Sequence, residues 1–217
     1  MAKHLTRCSA CLGLLLLSGC VAASCPWIAE NPELVKSFVP ELQKGGLKVV
    51  LRHAKSGGKV DRQDCLDPND ALDADYGRRQ AEWIGKGFSS LSKSELQVYF
   101  SPYCRVAQTA EIAFPDGGKT RQVELALGNE SNLWLNEQIR RAGKTGVNEV
   151  YVTHSPNINE IKEDGVRVVG KDARRYLGFA ALFNPSADRK PPVALGCALP
   201  DHWESIVSQA KNADLLP

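Results

Sequence analysis

The sequence has 217 residues, of which 43% are hydrophobic and 24% charged, which is typical of one globular domain with a sizeable core. The formal net charge is +2, but Lys3 and Arg7 lie in an N-terminal segment that is expected to be removed. Without these two, 25 of the 27 basic residues remain, which equals the number of acidic residues, 25. This balance argues against a nucleic-acid-binding protein, and we expect no nucleic-acid partner.

Residues 1–19 have the features of an export signal. Basic residues precede an apolar run at 12–17, which is far too short to span a bilayer as a helix. The run leads into Ser18-Gly19-Cys20, which resembles a bacterial lipobox, where cleavage precedes a cysteine that is then lipidated. We therefore expect lipidation of Cys20 and an exported protein that a lipid anchors to the membrane on the periplasmic side of the cell envelope. An ordinary secretory signal, cleaved for instance after Ala23, is the alternative.

Four cysteines follow this segment: Cys25, Cys65, Cys104 and Cys197. An oxidising compartment allows three pairings of four thiols, and the sequence does not choose among them. At least one structural disulfide is expected. A free, buried thiol at Cys104 is also plausible, because this residue adjoins a candidate active-site arginine. Among these four cysteines neither a Cys-x-x-Cys pair nor zinc-ligand spacing occurs, which disfavours a thiol-based redox protein and a zinc site.

Residues 20–45 are predicted to be a tether and N-terminal extension with a short helix at about 32–39, and the main domain is predicted to cover 46–217. Strands are predicted at 47–51, 97–100 and 148–153, with a weaker strand at 123–127 and further sheet-forming runs at 178–183 and 193–195. Helices are predicted at 76–91, 105–113, 130–142 and 202–215. Residues 57–75 are predicted to be a long polar loop, and residues 115–118 a turn.

This alternation of strands and helices predicts an α/β fold, a three-layer α/β/α sandwich with a mostly parallel central sheet. Leu133, Trp134 and Ile139 are expected to face inward from the helix at 130–142. The sequence does not indicate an oligomeric state.

Three of the predicted strands end in polar residues that suit a phosphate ester. The first ends at Arg52-His53, the second runs into Ser101 and Arg105, and the third leads into His154. Ligands of α/β sheets bind at the carboxyl ends of the strands. Arginine offers a fork of donors to phosphate oxygens, and a neutral histidine nitrogen can attack phosphorus or move a proton.

These strand ends carry the motifs of one family. Leu51-Arg52-His53-Ala54, Ser101-Pro102-x-x-Arg105-x-x-Gln108-Thr109-Ala110 and Thr153-His154-Ser155 occur in the order expected for the histidine phosphatase (phosphoglycerate-mutase-like) superfamily. The resemblance spans about residues 47–183. It implies that the chain is a metal-independent phosphoric monoester hydrolase.

The resemblance also implies roles for the residues at the strand ends. His53 resembles the nucleophile that becomes a phosphohistidine, so that hydrolysis is divided into two easier steps. Arg52, Arg105 and His154 would bind the phosphoryl oxygens and stabilise the charge on them during transfer. Because these residues supply the positive charge, the resemblance requires neither a metal nor a cofactor.

A carboxylic acid that protonates the leaving oxygen should complete the site, and its position varies within the family. Glu130 is the first choice, and Glu137 and Asp61 are weaker candidates. Glu130 would also begin a helix, where the helix dipole favours an acidic residue, so a structural role is the alternative.

The loop after His53 adds further candidates. Lys55 is expected to bind the phosphorylated substrate, and Lys59 and Arg62 could reach it too, although each could equally be a solvated surface charge. Many mutases of the family carry Gly-Glu-Thr after Arg-His, whereas this chain has Ala54-Lys55-Ser56. This difference disfavours a sugar-phosphate mutase.

The chain is more similar to the minimal branch of the superfamily, in which the exported lipopolysaccharide core heptose phosphatases are the most similar kind. We therefore expect a phosphatase of the bacterial envelope whose partner is a phosphorylated small molecule or an envelope glycan. The alternative is a phosphatase-like module that binds phosphorylated glycans without turnover.

Overall fold

The structure, a computed structural model, describes residues 25–58, 65, 70–127, 129–163, 166–169, 172–185 and 193–216. The helices of this part are α1 (Pro32–Lys44), α2 (Tyr76–Leu91), α3 (Cys104–Ala113), α4 (Asn129–Arg140), α5 (Ser155–Asn159), α6 (Asp172–Arg175) and α7 (His202–Asn212). The strands are β1 (Lys48–Arg52), β2 (Glu95–Phe100), β3 (Gly118–Arg121), β4 (Val147–Thr153), β5 (Lys162–Glu163), β6 (Val166–Arg167), β7 (Ala180–Asn184) and β8 (Val193–Ala198).

The central sheet has six strands in the order β3-β2-β4-β1-β7-β8. The pairs from β3 to β1 are parallel, whereas β7 is antiparallel to both β1 and β8. The mostly parallel sheet predicted from the sequence is therefore confirmed. The two late sheet-forming runs are also present, and β5 and β6 form a separate antiparallel pair.

Alternate side chains of the inner strands supply the two hydrophobic layers that cover the sheet. Val49 and Leu51 of β1 pack with buried residues of α1, α2, α3 and α7. Val50, which lies between them, packs on the opposite face with buried residues of α4, α5 and α6. This alternation follows from the two-residue period of a strand, and it explains why β1 is a continuous apolar run with helices on both faces.

The chain before β1 is packed against this core. Asn31 caps α1 by accepting a hydrogen bond from the Glu33 backbone N–H at 3.0 Å, and Pro32 occupies the first turn, where a missing N–H has no effect. Helix α1 contributes buried side chains that include Phe38 and Leu42. The helix predicted at about 32–39 is therefore present and extends to Lys44.

The structure corrects three local predictions. Residues 123–127 are not a strand, because Val123–Leu125 form a 3-10 turn. The turn predicted at 115–118 is present over residues 115–117, but β3, which follows it directly, was not predicted, because this exposed edge strand is polar and has no apolar pattern. Leu133 does not face inward but is 75% exposed, and Leu135 and Ile139, four residues apart on α4, are buried instead.

Two disulfides pair Cys25 with Cys197 and Cys65 with Cys104. Their Cα atoms are 5.7 and 5.1 Å apart, within the usual range for a disulfide. The expectation of at least one disulfide is confirmed. The alternative of a free thiol at Cys104 is wrong, because this cysteine is bonded to Cys65.

Within the residues that the structure describes, none of the helices has the length and hydrophobicity that a membrane-spanning helix requires.

Candidate active site

The sheet topology brings two of the predicted polar strand ends side by side. β1 and β4 are adjacent and parallel, and Arg52 is in register with Thr153. The His53 N–H donates to the Thr153 carbonyl at 3.0 Å. His53, which follows Arg52, and His154, which follows Thr153, therefore lie next to one another. Their ring centroids are 5.4 Å apart. β2 pairs with the other side of β4, which places Ser101 at the same edge.

His53 is held in one tautomer by its own backbone neighbour. Its Nδ1 lies 2.8 Å from the carbonyl oxygen of Ala54, which can only accept, so Nδ1 carries the proton. Nε2 is then the nitrogen with the lone pair, and it accepts a hydrogen bond from Arg105 Nε at 3.3 Å. A buried imidazole is thus fixed with its nucleophilic nitrogen facing a guanidinium.

His154 has the opposite tautomer. Its Nδ1 is 3.5 Å from Arg105 Nη2, and because a guanidinium only donates, Nδ1 is the acceptor. Nε2 therefore carries the proton and donates to Ser101 Oγ at 3.0 Å. Tyr103 packs edge-on against the His154 ring at a centroid distance of 4.9 Å. These contacts fix the orientation of the second imidazole.

Both histidines are neutral at physiological pH. Burial lowers the pKa of His53 to about 3, outweighing the hydrogen bond to Ala54, and the charges of Arg105 and Arg52 lower it further. Burial likewise lowers the pKa of His154 to about 2, with contributions from His53, Arg105 and Arg52. An unprotonated Nε2 on His53 is the form that can act as a nucleophile.

The two arginines are anchored in different ways. Arg52 Nη1 lies within hydrogen-bonding distance of three carbonyl oxygens around the end of α6: those of Ala173 at 3.0 Å, Arg174 at 2.9 Å and Tyr176 at 3.2 Å. Burial and the charge of Arg105 lower the pKa of Arg52 to about 10, so it remains charged at neutral pH. Arg105 is buried on the first turn of α3, between the two histidines.

Sequence reasoning missed Asp70, a residue of the polar loop. Its side chain is fully buried and forms an ion pair with Arg105. The abundance of aspartate in the loop was visible in the sequence. What the sequence could not show was which of these aspartates reaches the site, because Asp70 is placed by contacts with α3.

Two side chains from α2 and α3 hold the turn that follows His53. The Ala54 N–H donates to Thr109 Oγ1 at 3.1 Å, and the Lys55 N–H donates to Gln80 Oε1 at 2.8 Å. The Thr109 hydroxyl in turn donates to the Arg105 carbonyl at 2.6 Å, which links the turn to the helix that carries Arg105. Lys55 Nζ pairs with Asp73 at 3.3 Å.

The remaining candidates are placed only in part. Glu130 lies in the first turn of α4, and its side chain falls outside the described residues. Glu137 pairs with Arg141 on the exposed surface of α4. Asp61, Lys59, Arg62 and Cys20 lie outside the described residues. Among the residues that are described, no group of three or more histidine, cysteine or acidic side chains could hold a metal ion.

No protein-family model matches the chain, and no curated protein matches it. Solved structures do resemble it. The phosphoserine phosphatase from Entamoeba histolytica in complex with 3-phosphoglyceric acid is 13% identical, with a TM-score of 0.50 over 72% of this chain and 98% of that one. A protein assigned as the phosphohistidine phosphatase SixA from Nakamurella multipartitia is 21% identical, with a TM-score of 0.49 over 71% and 94%. The protein histidine phosphatase SixA complexed with tungstate is 14% identical, with a TM-score of 0.47 over 71% and 97%.

The chain has the fold of the histidine phosphatases. At 13% identity this likeness concerns the fold alone, so the activity has to be argued from the side chains. Within the histidine phosphatase fold, the structure brings together four of the predicted site residues: Arg52, His53, Arg105 and His154. It does not bring Glu137 to them, since that carboxylate pairs with Arg141.

Proposed function

We propose that the chain is a phosphomonoester hydrolase that acts through a phosphohistidine on His53. The observation that supports this most directly is the geometry of the His53 ring. Nδ1 donates to the Ala54 carbonyl, which leaves the Nε2 lone pair facing Arg105 in a buried cluster with a second arginine and a second neutral histidine. A neutral nucleophile surrounded by fixed cations suits attack on a phosphate dianion.

The proposed reaction has two steps. In the first, the Nε2 lone pair of His53 forms a bond to phosphorus while the ester P–O bond breaks, and the leaving oxygen takes a proton from a general acid. In the second, water attacks the phosphorus and gives a proton to the conjugate base of the general acid, the N–P bond breaks, and orthophosphate is released. Phosphorylation makes the ring cationic, and the hydrogen bond from Nδ1 to the Ala54 carbonyl stabilises that charge.

Arg52, Arg105 and His154 are the proposed ligands of the phosphoryl oxygens, with Lys55 as a further contact to the substrate. Phosphoryl transfer depends mainly on positioning and on stabilising charge, which anchored guanidinium groups provide without reorganisation. The anchoring of Arg52 by α6 and of Arg105 by Asp70 supports this assignment.

Glu130 remains the proposed general acid, and the path of the backbone supports it. The Thr153 hydroxyl donates to the Leu125 carbonyl at 2.8 Å, and Asn157 Nδ2 donates to the Ala126 carbonyl at 3.0 Å. These bonds attach residues 125–126 to the carboxyl end of β4, beside His154. Glu130, in the first turn of α4, follows Ala126 by four residues, which can span about 14 Å at most, and this short separation supports Glu130 as the acid.

The finer assignment is also a proposal: a lipid-anchored enzyme of the bacterial envelope that acts on a phosphorylated small molecule or glycan. The export signal and the lipobox-like Cys20 support it. Two disulfides are in keeping with an oxidising compartment.

The domain without residues 1–20 should hydrolyse p-nitrophenyl phosphate in the presence of EDTA. His53→Ala should lower kcat/KM by about a thousandfold or more, because it removes the nucleophile. His202→Gln is the matched control, because this third histidine lies on α7, where its ring packs against Trp27, and it should retain activity.

Rapid denaturation in alkaline detergent with ³²P-labelled substrate should trap a phosphoenzyme in the wild type and not in His53→Ala, and acid should release its label. Full activity of His53→Ala would contradict the assignment of the nucleophile. Binding of phosphate esters with neither turnover nor phosphoenzyme would instead indicate a binding module.

A further inference from the structure

Asp70 connects the polar loop to the helix that carries Arg105. One carboxylate oxygen accepts a hydrogen bond from Arg105 Nη1, and the other accepts from the Cys104 backbone N–H at 3.3 Å. Cys104 is the first residue of α3, and the N-cap residue Tyr103 makes no side-chain capping bond. Asp70 therefore satisfies a free N–H group of the first turn from a distant part of the chain. The positive end of the helix dipole and the guanidinium together compensate for its burial.

Arg105 is oriented by the groups around its three nitrogens. Nε faces His53 Nε2 at 3.3 Å, Nη2 faces His154 Nδ1 at 3.5 Å, and Nη1 pairs with Asp70. The two histidines are neutral and make long hydrogen bonds. The carboxylate is charged and makes a charge-assisted bond, which is the stronger kind. Of these three contacts, the one with Asp70 therefore contributes most to the orientation of the guanidinium.

Cys65, Asp70 and Leu72 each contact α3. Cys65 is bonded covalently to Cys104, and Asp70 accepts a hydrogen bond from the backbone of the same residue. The Leu72 N–H donates to Gln108 Oε1 at 2.7 Å, which is a third attachment on the same helix. Because Asp70 follows Cys65 by only five residues, the disulfide limits how far its carboxylate can move from α3.

We propose that Asp70 is a positioning residue for phosphoryl transfer, and that the Cys65–Cys104 disulfide holds it in place. The carboxylate sets the orientation of the Arg105 guanidinium toward the phosphoryl group. This proposal rests on the proposed phosphatase function, which it deepens by adding a residue and a covalent bond on which turnover depends.

The changes in kcat and KM that follow the loss of the Asp70 charge distinguish a positioning role from simple charge attraction. A carboxylate beside the phosphate site repels a phosphate dianion, so removing its charge does not weaken ground-state binding. The orientation of a catalytic group matters most in the transition state, where a small displacement of that group strongly lowers the rate of the chemical step. Loss of Asp70 should therefore lower kcat and leave KM nearly unchanged.

Asp70→Asn tests this in the domain without residues 1–20. We expect kcat for p-nitrophenyl phosphate to fall by about 10- to 100-fold, with KM and the inhibition constant of orthophosphate within about threefold of wild type. The melting temperature, followed by circular dichroism, shows whether the variant is folded at the assay temperature. An unchanged kcat, or a rise in KM alone, would overturn the proposal.

Asp70→Glu covers the case in which the asparagine variant fails to fold. It retains the charge and moves the carboxylate by one methylene, so kcat should again fall while the fold is retained.

The disulfides provide a matched pair of variants. Cys65→Ser with Cys104→Ser should lower kcat several-fold, whereas Cys25→Ser with Cys197→Ser, which opens the other disulfide, should lower thermal stability and retain kcat. Equal kcat values for the two folded double variants would contradict the role of the Cys65–Cys104 disulfide.

A readout independent of turnover separates this proposal from the proposed function. The Nε–Hε resonance of Arg105, assigned by its loss in Arg105→Lys, should shift in Asp70→Asn as the guanidinium reorients. If the wild type hydrolyses no phosphate ester, the proposed function fails, while this shift still shows whether Asp70 orients Arg105. An unshifted resonance would overturn the positioning role even in an active enzyme.

Discussion

His53 and His154 are kept uncharged by the same burial that makes them useful to a phosphatase. Protonation of either ring would add a third positive charge beside Arg52 and Arg105, and the folded protein resists it. Asp70 balances part of the positive charge in this cluster. The site therefore combines fixed cations with a neutral nucleophile, an arrangement that exposed residues would not maintain.

The depressed histidine pKa values predict how stability changes with pH. In the unfolded chain a histidine titrates near 6.5, whereas in the folded protein the pKa values are about 3 for His53 and about 2 for His154. Unfolding therefore takes up protons below pH 6.5, and stability falls as the pH falls from there toward 3. At pH 5.5 each histidine should lower the free energy of unfolding by about 1.4 kcal/mol.

Urea unfolding at pH 7.5, 6.5 and 5.5 measures this effect. Carboxylates of an unfolded chain titrate near pH 4, so histidines dominate this range. His53→Gln should remove about half of the decrease between pH 7.5 and 5.5. A free energy of unfolding that is the same at both ends of the range would show that the folded protein accepts these protons.

At the scale of elements, α4 is the helix that should supply the general acid. Glu130→Gln should slow alkyl phosphates by about 100-fold or more, because their leaving oxygens need a proton. It should affect p-nitrophenyl phosphate far less, because nitrophenolate leaves without protonation. The measurement is kcat/KM for a series of esters that differ in leaving-group pKa.

Glu137→Gln is the control for this series, since Glu137 lies on the same helix and pairs with Arg141 on its exposed surface. Glu137→Gln should leave kcat/KM unchanged for every ester of the series. Equal effects of Glu130→Gln on all esters would assign the proton to another group, and in that case Asp61 is the next carboxylate to test.

The sequence predicts best the central strands that end at motif residues. β1 and β4 are mostly buried, and the half-buried β2 leads into Ser101, so the existence of these strands and the approach of His53 to His154 could be anticipated. β3 could not, because an exposed edge strand is stabilised by backbone pairing with β2 and needs no apolar side chains. Asp70 was missed for a related reason, since contacts with Arg105 and Cys104 that are distant in sequence place it.

At the scale of the whole molecule, the N-terminal end of the described chain lies close to the site. Cys25 is bonded to Cys197 of β8, and the ring of Trp27 packs against Tyr176 and Phe179 at centroid distances of 5.9 and 6.0 Å. The carbonyl of Tyr176 is one of the contacts of Arg52. Five extended residues span about 18 Å at most, so a lipid on Cys20 would hold this side of the domain close to a bilayer.

A substitution of Cys20 therefore tests the proposed membrane anchor without changing the residues proposed for phosphoryl transfer. Cys20→Ser in the full-length chain should move the protein from the membrane fraction to the soluble fraction and prevent its labelling with radioactive palmitate. Cys11→Ser, in the segment that is expected to be removed, should change neither result. Turnover of p-nitrophenyl phosphate should be the same in all three proteins, because neither Cys20 nor Cys11 is among the residues proposed for the reaction. A Cys20→Ser protein that remains in the membrane fraction would refute the lipid anchor while leaving the phosphatase proposal intact.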